Sequence, residues 1–230
     1  MLTQREKTME YGQFCPIAKA SEILGEKWTI LILRELLMGS SRFNELQRGL
    51  SMISPAVLTK RLSTLAEYGL IVKKKLPGQK GHEYLPTKSA EELLPIFIDI
   101  GNWGMRWTRE HLTSNDFDVD FLMTYLRRSI QPGNLPGEEA VIKFHFTDIE
   151  QQPDWWILVN GLEVDLCTID PGKEPEVYFT STVKCLSDIW MGETTYRKEI
   201  NSGHLKLVGP GMLTKNVSQW MSNCMFAAGQ

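Results

Sequence analysis

Long apolar runs are missing from this chain of 230 residues. The longest, WTILILRELL, is broken by Arg34 and Glu35 and falls short of the roughly 18 residues that a membrane-spanning helix needs. The opening stretch, MLTQREKTMEYG, has no apolar signal core, so the sequence predicts a cytoplasmic protein with no membrane partner. Cysteine is sparse. Cys15, Cys167, Cys185 and Cys224 lie far apart without a CxxC pair, which argues against a zinc site or a disulfide framework and for reduced thiols. His82, His111, His145 and His204 are scattered, with neither metal-ligand spacing nor a nucleophile beside them. A Gly-rich phosphate loop is also lacking. These absences weigh against an enzyme and lead us to expect no metal and no cofactor.

What charge there is divides unevenly. Residues 1–115 hold 16 Lys and Arg against 12 Asp and Glu, whereas residues 116–230 hold 9 against 16. A basic first half suits a polyanion, because each phosphate contact releases counterions; an acidic second half would be repelled by one. Two domains are expected, 1–115 and 116–230.

Residues 1–12 carry little pattern and read as an arm. A helix is expected from Pro16, with Ile17, Ala20, Ile23 and Leu24 inward and Gly25 ending it. Residues 28–38 are nearly all apolar and read as a core helix. Ser41 then caps the short helix RFNELQRG, with Phe43 and Leu46 inward, and a tight turn leads to Ser54.

The stretch SPAVLTKRLSTLAEYGL opens with Ser54 as N-cap and Pro55 at the first helical position, and Gly69 closes it. Leu58, Leu62 and Leu65 recur at the helical period, which leaves Ala56, Thr59, Lys60, Ser63 and Thr64 on a small, polar, positive face. Arg61 lies nearer the core edge, in reach of a phosphate or of an acidic neighbour. Residues 71–76 and 82–85 can pair as strands across the turn-rich PGQKG, placing Lys73, Lys74, Lys75 and Lys80 on a basic wing. Two helices joined by a turn and followed by such a hairpin make a plausible reader of double-stranded DNA, although a charge run by itself is often only a solvated face.

Residues 88–111 read as one long helix that Pro95 kinks or begins. Leu93, Phe97, Ile100, Trp103 and Trp107 follow the helical period and exceed what one small domain can cover, which suggests a homodimer seam; packing within the chain is the other reading.

The order CPIAKASEILGEKWTILILREL, RFNELQRGL, ISPAVLTKRLSTLAEYGLI and then the basic wing resembles the HxlR family of winged-helix transcription regulators, relatives of the MarR regulators, over about residues 11–112. The resemblance implies a homodimer on an inverted-repeat operator, with the Ser54 helix in the major groove and the wing at the adjacent minor groove. DNA contacts then fall to Ser54, Ala56, Thr59, Lys60, Arg61, Ser63, Thr64, Lys73, Lys74, Lys75 and Lys80. One departure is LPTKSAEEL, where the family usually has a leucine-threonine-proline turn; it affects the hinge of the terminal helix. Cys15, just before a helix start, stands at the positive end of the helix dipole, and the matching position is a redox sensor in some family members. The alternative is an inert packed thiol.

In the second half Asp118 can cap a helix presenting Val119, Leu122, Met123, Leu126 and Ile130. Strands are expected at residues 140–146, 155–159, 164–169 and 177–180, then helices at 183–190 and 194–200, a short strand HLKLVG, and a last helix at 212–226. DWWILVNG and INSGHLKLVG resemble the sterol carrier protein 2-like domain, in which sheet and helices enclose an apolar cavity for lipids or other hydrophobic molecules. That resemblance makes Phe144, Phe146, Trp155, Trp156, Phe179, Trp190, Met191 and Trp220 candidate cavity residues; they serve equally well as a core. The expected class is α+β in two domains, a winged helix-turn-helix followed by an SCP2-like mixed α/β sandwich. The expected function is a transcription regulator whose operator binding a small hydrophobic ligand modulates. The alternatives are a hydrophobic-ligand carrier that uses the winged helix to dimerise, and a thiol-based regulator acting through Cys15.

Overall fold

Prolines and capping side chains set where the helices of the first half begin. In the computed structural model, which describes residues 10–76, 78 and 81–227, α1 (Pro16–Leu24) starts on its proline directly after Cys15 and stops at Gly25. Trp28 then takes a left-handed backbone (φ 78°), alone in this among the described non-glycine residues, and α2 (Thr29–Leu37) follows. Ahead of α3 (Phe43–Gly49) the Glu45 carboxylate accepts the backbone N–H groups of Ser41 and Arg42 at 2.8 and 3.0 Å. The cap is thus Glu45 reaching backward, not the Ser41 hydroxyl expected from sequence. α4 (Pro55–Glu67) is capped by Ser54, whose Oγ accepts the Val57 N–H at 3.3 Å. β1 (Ile71–Lys75) and β2 (His82–Pro86) pair antiparallel, with Lys73 opposite Tyr84 and Lys74 opposite Glu83.

The single helix expected over residues 88–111 is two: α5 (Lys88–Glu91) and α6 (Leu94–Trp107). Pro95 is the second residue of α6, where its missing N–H costs nothing, so the proline marks a start and not a kink. The core gathers Ile32, Leu33 and Leu36 from α2, Leu46 from α3, Leu58, Leu62 and Leu65 from α4, Ile71 and Tyr84 from the hairpin, and Phe97 from α6. From α1 only Ile23 and Leu24 lean on this cluster; Ile17, expected inside, is 76% exposed.

The chain divides into two compact units, Met1–Gly101 and Asn102–Gln230. In the second, Asp118 Oδ1 accepts the Phe121 N–H at 2.8 Å and opens α7 (Val119–Ser129). β3 (Glu139–Phe146), β4 (Asp154–Asn160), β5 (Glu163–Cys167) and β6 (Val177–Ser181) follow, then α8 (Val183–Trp190), α9 (Tyr196–Ser202) and β7 (Lys206–Val208). The strands form one mixed sheet in the order β5-β4-β3-β6-β7, with β3 and β6 parallel and the other neighbours antiparallel. Ala140, Ile142, Phe144 and Phe146 alternate along β3 and meet Leu122, Met123 and Leu126 of α7 and Leu186 and Ile189 of α8 in one core.

The last helix expected at residues 212–226 is broken into α10 (Gly211–Thr214) and α11 (Val217–Trp220). Beyond it the backbone bonds elsewhere: Ser222 N–H to the Ser129 carbonyl at 3.0 Å and Cys224 N–H to the Trp190 carbonyl at 2.8 Å. Tertiary hydrogen bonds to the ends of α7 and α8 replace those a continuous helix would have made.

Five of the eight candidate cavity residues are core. Phe144 and Phe179 stack at 4.7 Å, Trp220 meets Phe179 edge-on at 6.1 Å and donates its indole N–H to the Leu213 carbonyl at 3.0 Å, and Phe146 and Trp155 are buried in the same cluster. Trp156, next along β4, is buried on the opposite face of the sheet, with the Lys143 ammonium 5.1 Å from its ring. Trp190 is half-buried against Tyr125 and donates its indole N–H to Ser129 Oγ at 3.0 Å; Met191 follows it at the α8 C-cap.

Candidate nucleic-acid interface

The turn between α3 and α4 is held from below. Leu50 and Ile53 are buried within it, and the Ile53 N–H bonds to the Leu50 carbonyl at 2.9 Å. Beneath α3 lies Glu35, fully buried, with its Oε1 accepting from Arg34 Nε and Nη2 at 3.1 and 2.8 Å. Arg34 also reaches the Gly49 carbonyl at 3.4 Å. A Cβ at position 49 would fall inside the van der Waals surface of the Glu35 carboxylate, so glycine is required there by close approach.

So supported, α4 turns Leu58, Leu62 and Leu65 inward and presents Ser54, Ala56, Thr59, Lys60 and Ser63 to solvent. Thr64 is half-buried beside them. The Thr59 hydroxyl donates to the Pro55 carbonyl at 2.8 Å and that of Thr64 to the Lys60 carbonyl at 3.1 Å. Both oxygens therefore face outward as acceptors, their protons being engaged in the helix. Arg61 leaves this group: its guanidinium pairs with Glu26, in the turn between α1 and α2, and the side chain is largely buried. Of the two sequence readings of Arg61, the acidic neighbour is the one the fold realises.

On the hairpin Lys73, Lys74 and Lys75 are exposed, and the Lys73 ammonium lies 5.9 Å from the Tyr84 ring. Lys80 lies outside the described residues. Gly78 and Gly81 both have positive φ, as the turn between the strands requires. The hairpin is tied to the start of α3, Tyr84 N–H bonding to the Ser41 carbonyl at 2.8 Å. Two exposed residues that sequence reasoning passed over stand just before α4: Arg48 and Met52, the latter 83% exposed. The basic residue in the last turn of α3 was the available signal for the first; an exposed methionine in a turn has none.

The five candidate seam residues split. Phe97 is buried and Leu93 packs against the same core, because both lie on the inward face of the α5–α6 segment. Ile100, Trp103 and Trp107 are exposed and are joined by Ile96, giving a stripe at 96, 100, 103 and 107, the spacing of one helix face. Cys15 is a half-exposed free thiol at the N-cap of α1, and its side chain makes no capping hydrogen bond.

The family model described as HxlR-like helix-turn-helix matches residues 23–112, from the end of α1 through α6. The uncharacterized HTH-type transcriptional regulator YvaP of Bacillus subtilis (strain 168) is 35% identical over 101 residues, covering 43% of this chain and 94% of that protein. A second uncharacterized HTH-type regulator, sll1512 of Synechocystis sp. (strain ATCC 27184 / PCC 6803 / Kazusa), is 34% identical over 102 residues, 44% of this chain and 76% of the relative. Among solved structures, the reduced form of the transcriptional regulator YodB from B. subtilis is 26% identical and covers 43% of this chain and 98% of that one, with a TM-score of 0.38. The turn propped on Glu35, the capped α4 and the hairpin behind it all fall inside the matched segment, and the chain belongs to the HxlR-like helix-turn-helix family of transcriptional regulators.

Proposed function

We propose that the chain is a sequence-specific DNA-binding transcription regulator that works as a homodimer, with α4 in the major groove of an inverted-repeat operator and the β1–β2 wing at the adjacent minor groove. One observation carries the reading: a helix-turn-helix family member exposes Ser54, Ala56, Thr59, Lys60 and Ser63 on a helix whose other side is anchored in the core. Lys60 and Ser63 would meet base edges and phosphates, while Lys73, Lys74 and Lys75 would meet phosphates and set orientation. The exposed Ile96, Ile100, Trp103 and Trp107 support a seam between two copies, whose two-fold axis would space the reading helices by one DNA turn, about 34 Å. Fluorescence anisotropy on upstream DNA tests this. Binding at micromolar strength or better that falls steeply with salt, and weakens in Lys60→Ala and Ser63→Ala, is expected. No binding at low salt would remove the reading and favour the hydrophobic-ligand carrier.

The second unit we read as an SCP2-like effector domain that takes a small hydrophobic ligand. A ligand that prefers one spacing of the two reading helices would shift the population of DNA-competent dimers. A five-stranded sheet sharing one core with α7 and α8 supports that reading. Because Phe144, Phe179 and Trp220 pack on one another, a guest there has to part them, and tryptophan emission should change as it does. Native mass spectrometry of the purified chain, looking for a co-purifying apolar compound, tests it.

Cys15 supports a second mode of control. A half-exposed free thiol at the positive end of α1 is placed to react with oxidants. Cys15→Ser should abolish oxidant-dependent release of DNA and leave reduced binding intact; an unchanged oxidant response would remove this mode.

A further inference from the structure

The second unit holds a cleft of about 680 Å³ lined mainly by polar and charged residues, although more of its exposed wall is apolar than polar. It opens where the C-terminal end of β6 meets α8, α9 and β7, and its volume lies in the range of small-molecule sites.

Its three carboxylates are already engaged. Asp188 is paired with Lys184 at 2.5 Å and Glu193 with Arg109. Glu199 accepts the Thr194 hydroxyl and lies 3.0 Å from His204 Nδ1, an arrangement that gives this nitrogen the proton; both contacts hold its carboxyl below the usual range. The Cys185 thiol adds no negative charge, because burial, and then the nearby Glu199, push its pKa up to about 11.

Two lysines are left over. Lys198 on α9 and Lys206 on β7 are exposed, and among the described residues neither amino group makes a hydrogen bond or an ion pair; Lys198 acts on Glu199 only through space. Thr180 on β6 is the cross-strand partner of Lys206, so the two side chains leave the same face of the sheet.

We infer that this cleft binds a small, multiply charged oxyanion, a phosphorylated or polycarboxylate metabolite, held by Lys198 and Lys206 with Thr180 beside them. Such a ligand supplies the charge that the paired carboxylates no longer offer, and its oxygens match the donors present.

Isothermal titration of the full chain with inorganic phosphate and, separately, with citrate at low ionic strength tests the inference. Saturable binding of one probe per chain is expected, weakened at least tenfold in Lys198→Ala/Lys206→Ala. It should be unchanged in Lys173→Ala, whose amino group pairs with Glu139 at 3.0 Å outside the cleft. Lys206→Arg, which keeps the charge, should retain binding. Preference for phosphate or for citrate assigns the ligand to phosphorylated or polycarboxylate compounds. No saturable binding of either probe, or equal binding by the double variant with an unaltered melting curve, overturns it.

Discussion

The guanidinium of Arg61, on α4, is paired with the carboxylate of Glu26 in the turn that precedes the left-handed Trp28. Both groups are more than two-thirds buried, so the pair ties the reading helix to the α1–α2 turn, away from its exposed face. Arg61→Ala should therefore lower stability by about 1–3 kcal/mol, since it leaves Glu26 unpaired and removes buried stem. The salt dependence of DNA binding should stay as in the parent protein. Lys60→Ala should instead reduce the slope of log K against log salt by about one if Lys60 meets a phosphate. Equal slopes for Lys60→Ala and the parent, with a reduced one for Arg61→Ala, would reverse the two roles.

Gly49→Ala tests the support beneath the helix-turn-helix. The new methyl group meets the Glu35 carboxylate, itself held by Arg34, so neither side can yield freely. A loss of about 1–3 kcal/mol is expected in urea unfolding, the range for overpacking a core. A neutral result would mean that the α3–α4 turn is looser than the contacts between Arg34, Glu35 and Gly49 require.

The exposed stripe on α6 predicts an oligomeric change. If the proposed seam holds two copies together, Trp103→Lys/Trp107→Lys should elute as a monomer in light scattering at concentrations where the parent elutes as a dimer, and should bind operator at least tenfold more weakly. The variant chain should still unfold cooperatively, because both rings are more than half exposed in the single chain. A variant that remains dimeric would place the seam elsewhere.

Trp220→Ala should cost about 3–5 kcal/mol, as for a large aromatic cut from a packed core. Its ring is 1% exposed, sits against Phe179 and has its indole N–H bonded. Denaturant unfolding followed through the second unit measures this. A cost below 1 kcal/mol would point to an aromatic cluster already open to a guest.

Cys185 predicts a change at alkaline pH. Its thiol rises from 9.0 to about 11, so the folded chain keeps a proton that the unfolded chain releases. This contribution is fully present below pH 9 and is lost as pH climbs toward about 11. Comparison with Cys185→Ser across that window isolates it. At pH 8 alkylation of Cys185 in the native protein should run slower than for a free thiol, because burial keeps more of it protonated; equal rates would contradict it.

Much of the first unit was legible because its signals are local. Ser54 and Pro55 announce α4, Leu58, Leu62 and Leu65 set its inward face, and the PGQKG turn between two short runs announces the hairpin. The failures came where a distant group competed for a local one. Glu45, not Ser41, caps α3; Ile17 satisfies a helical pattern yet faces solvent; residues 212–226 have helical periodicity but give up their backbone bonds to Ser129 and Trp190. In the second unit, strand alternation located the inward residues, but composition could not tell cavity walls from core.

What the sequence by itself determined is the set of elements and their polarity: where helices start, which face of each is apolar, and that Lys60 stands on α4 and a run of lysines on the wing. Those depend on residues within a few positions of one another. The tertiary structure alone decided which charges distant in the chain meet. It sends Arg61 to Glu26 and seats Glu35 beneath Gly49. In the second unit it joins Glu193 to the distant Arg109 and leaves Lys198 and Lys206 facing an open cleft. Pairs such as Arg61–Glu26 and Arg109–Glu193 depend on distance and desolvation between segments far apart in the chain, which no spacing along the sequence encodes, whereas Lys184–Asp188 is an i,i+4 pair on one helix.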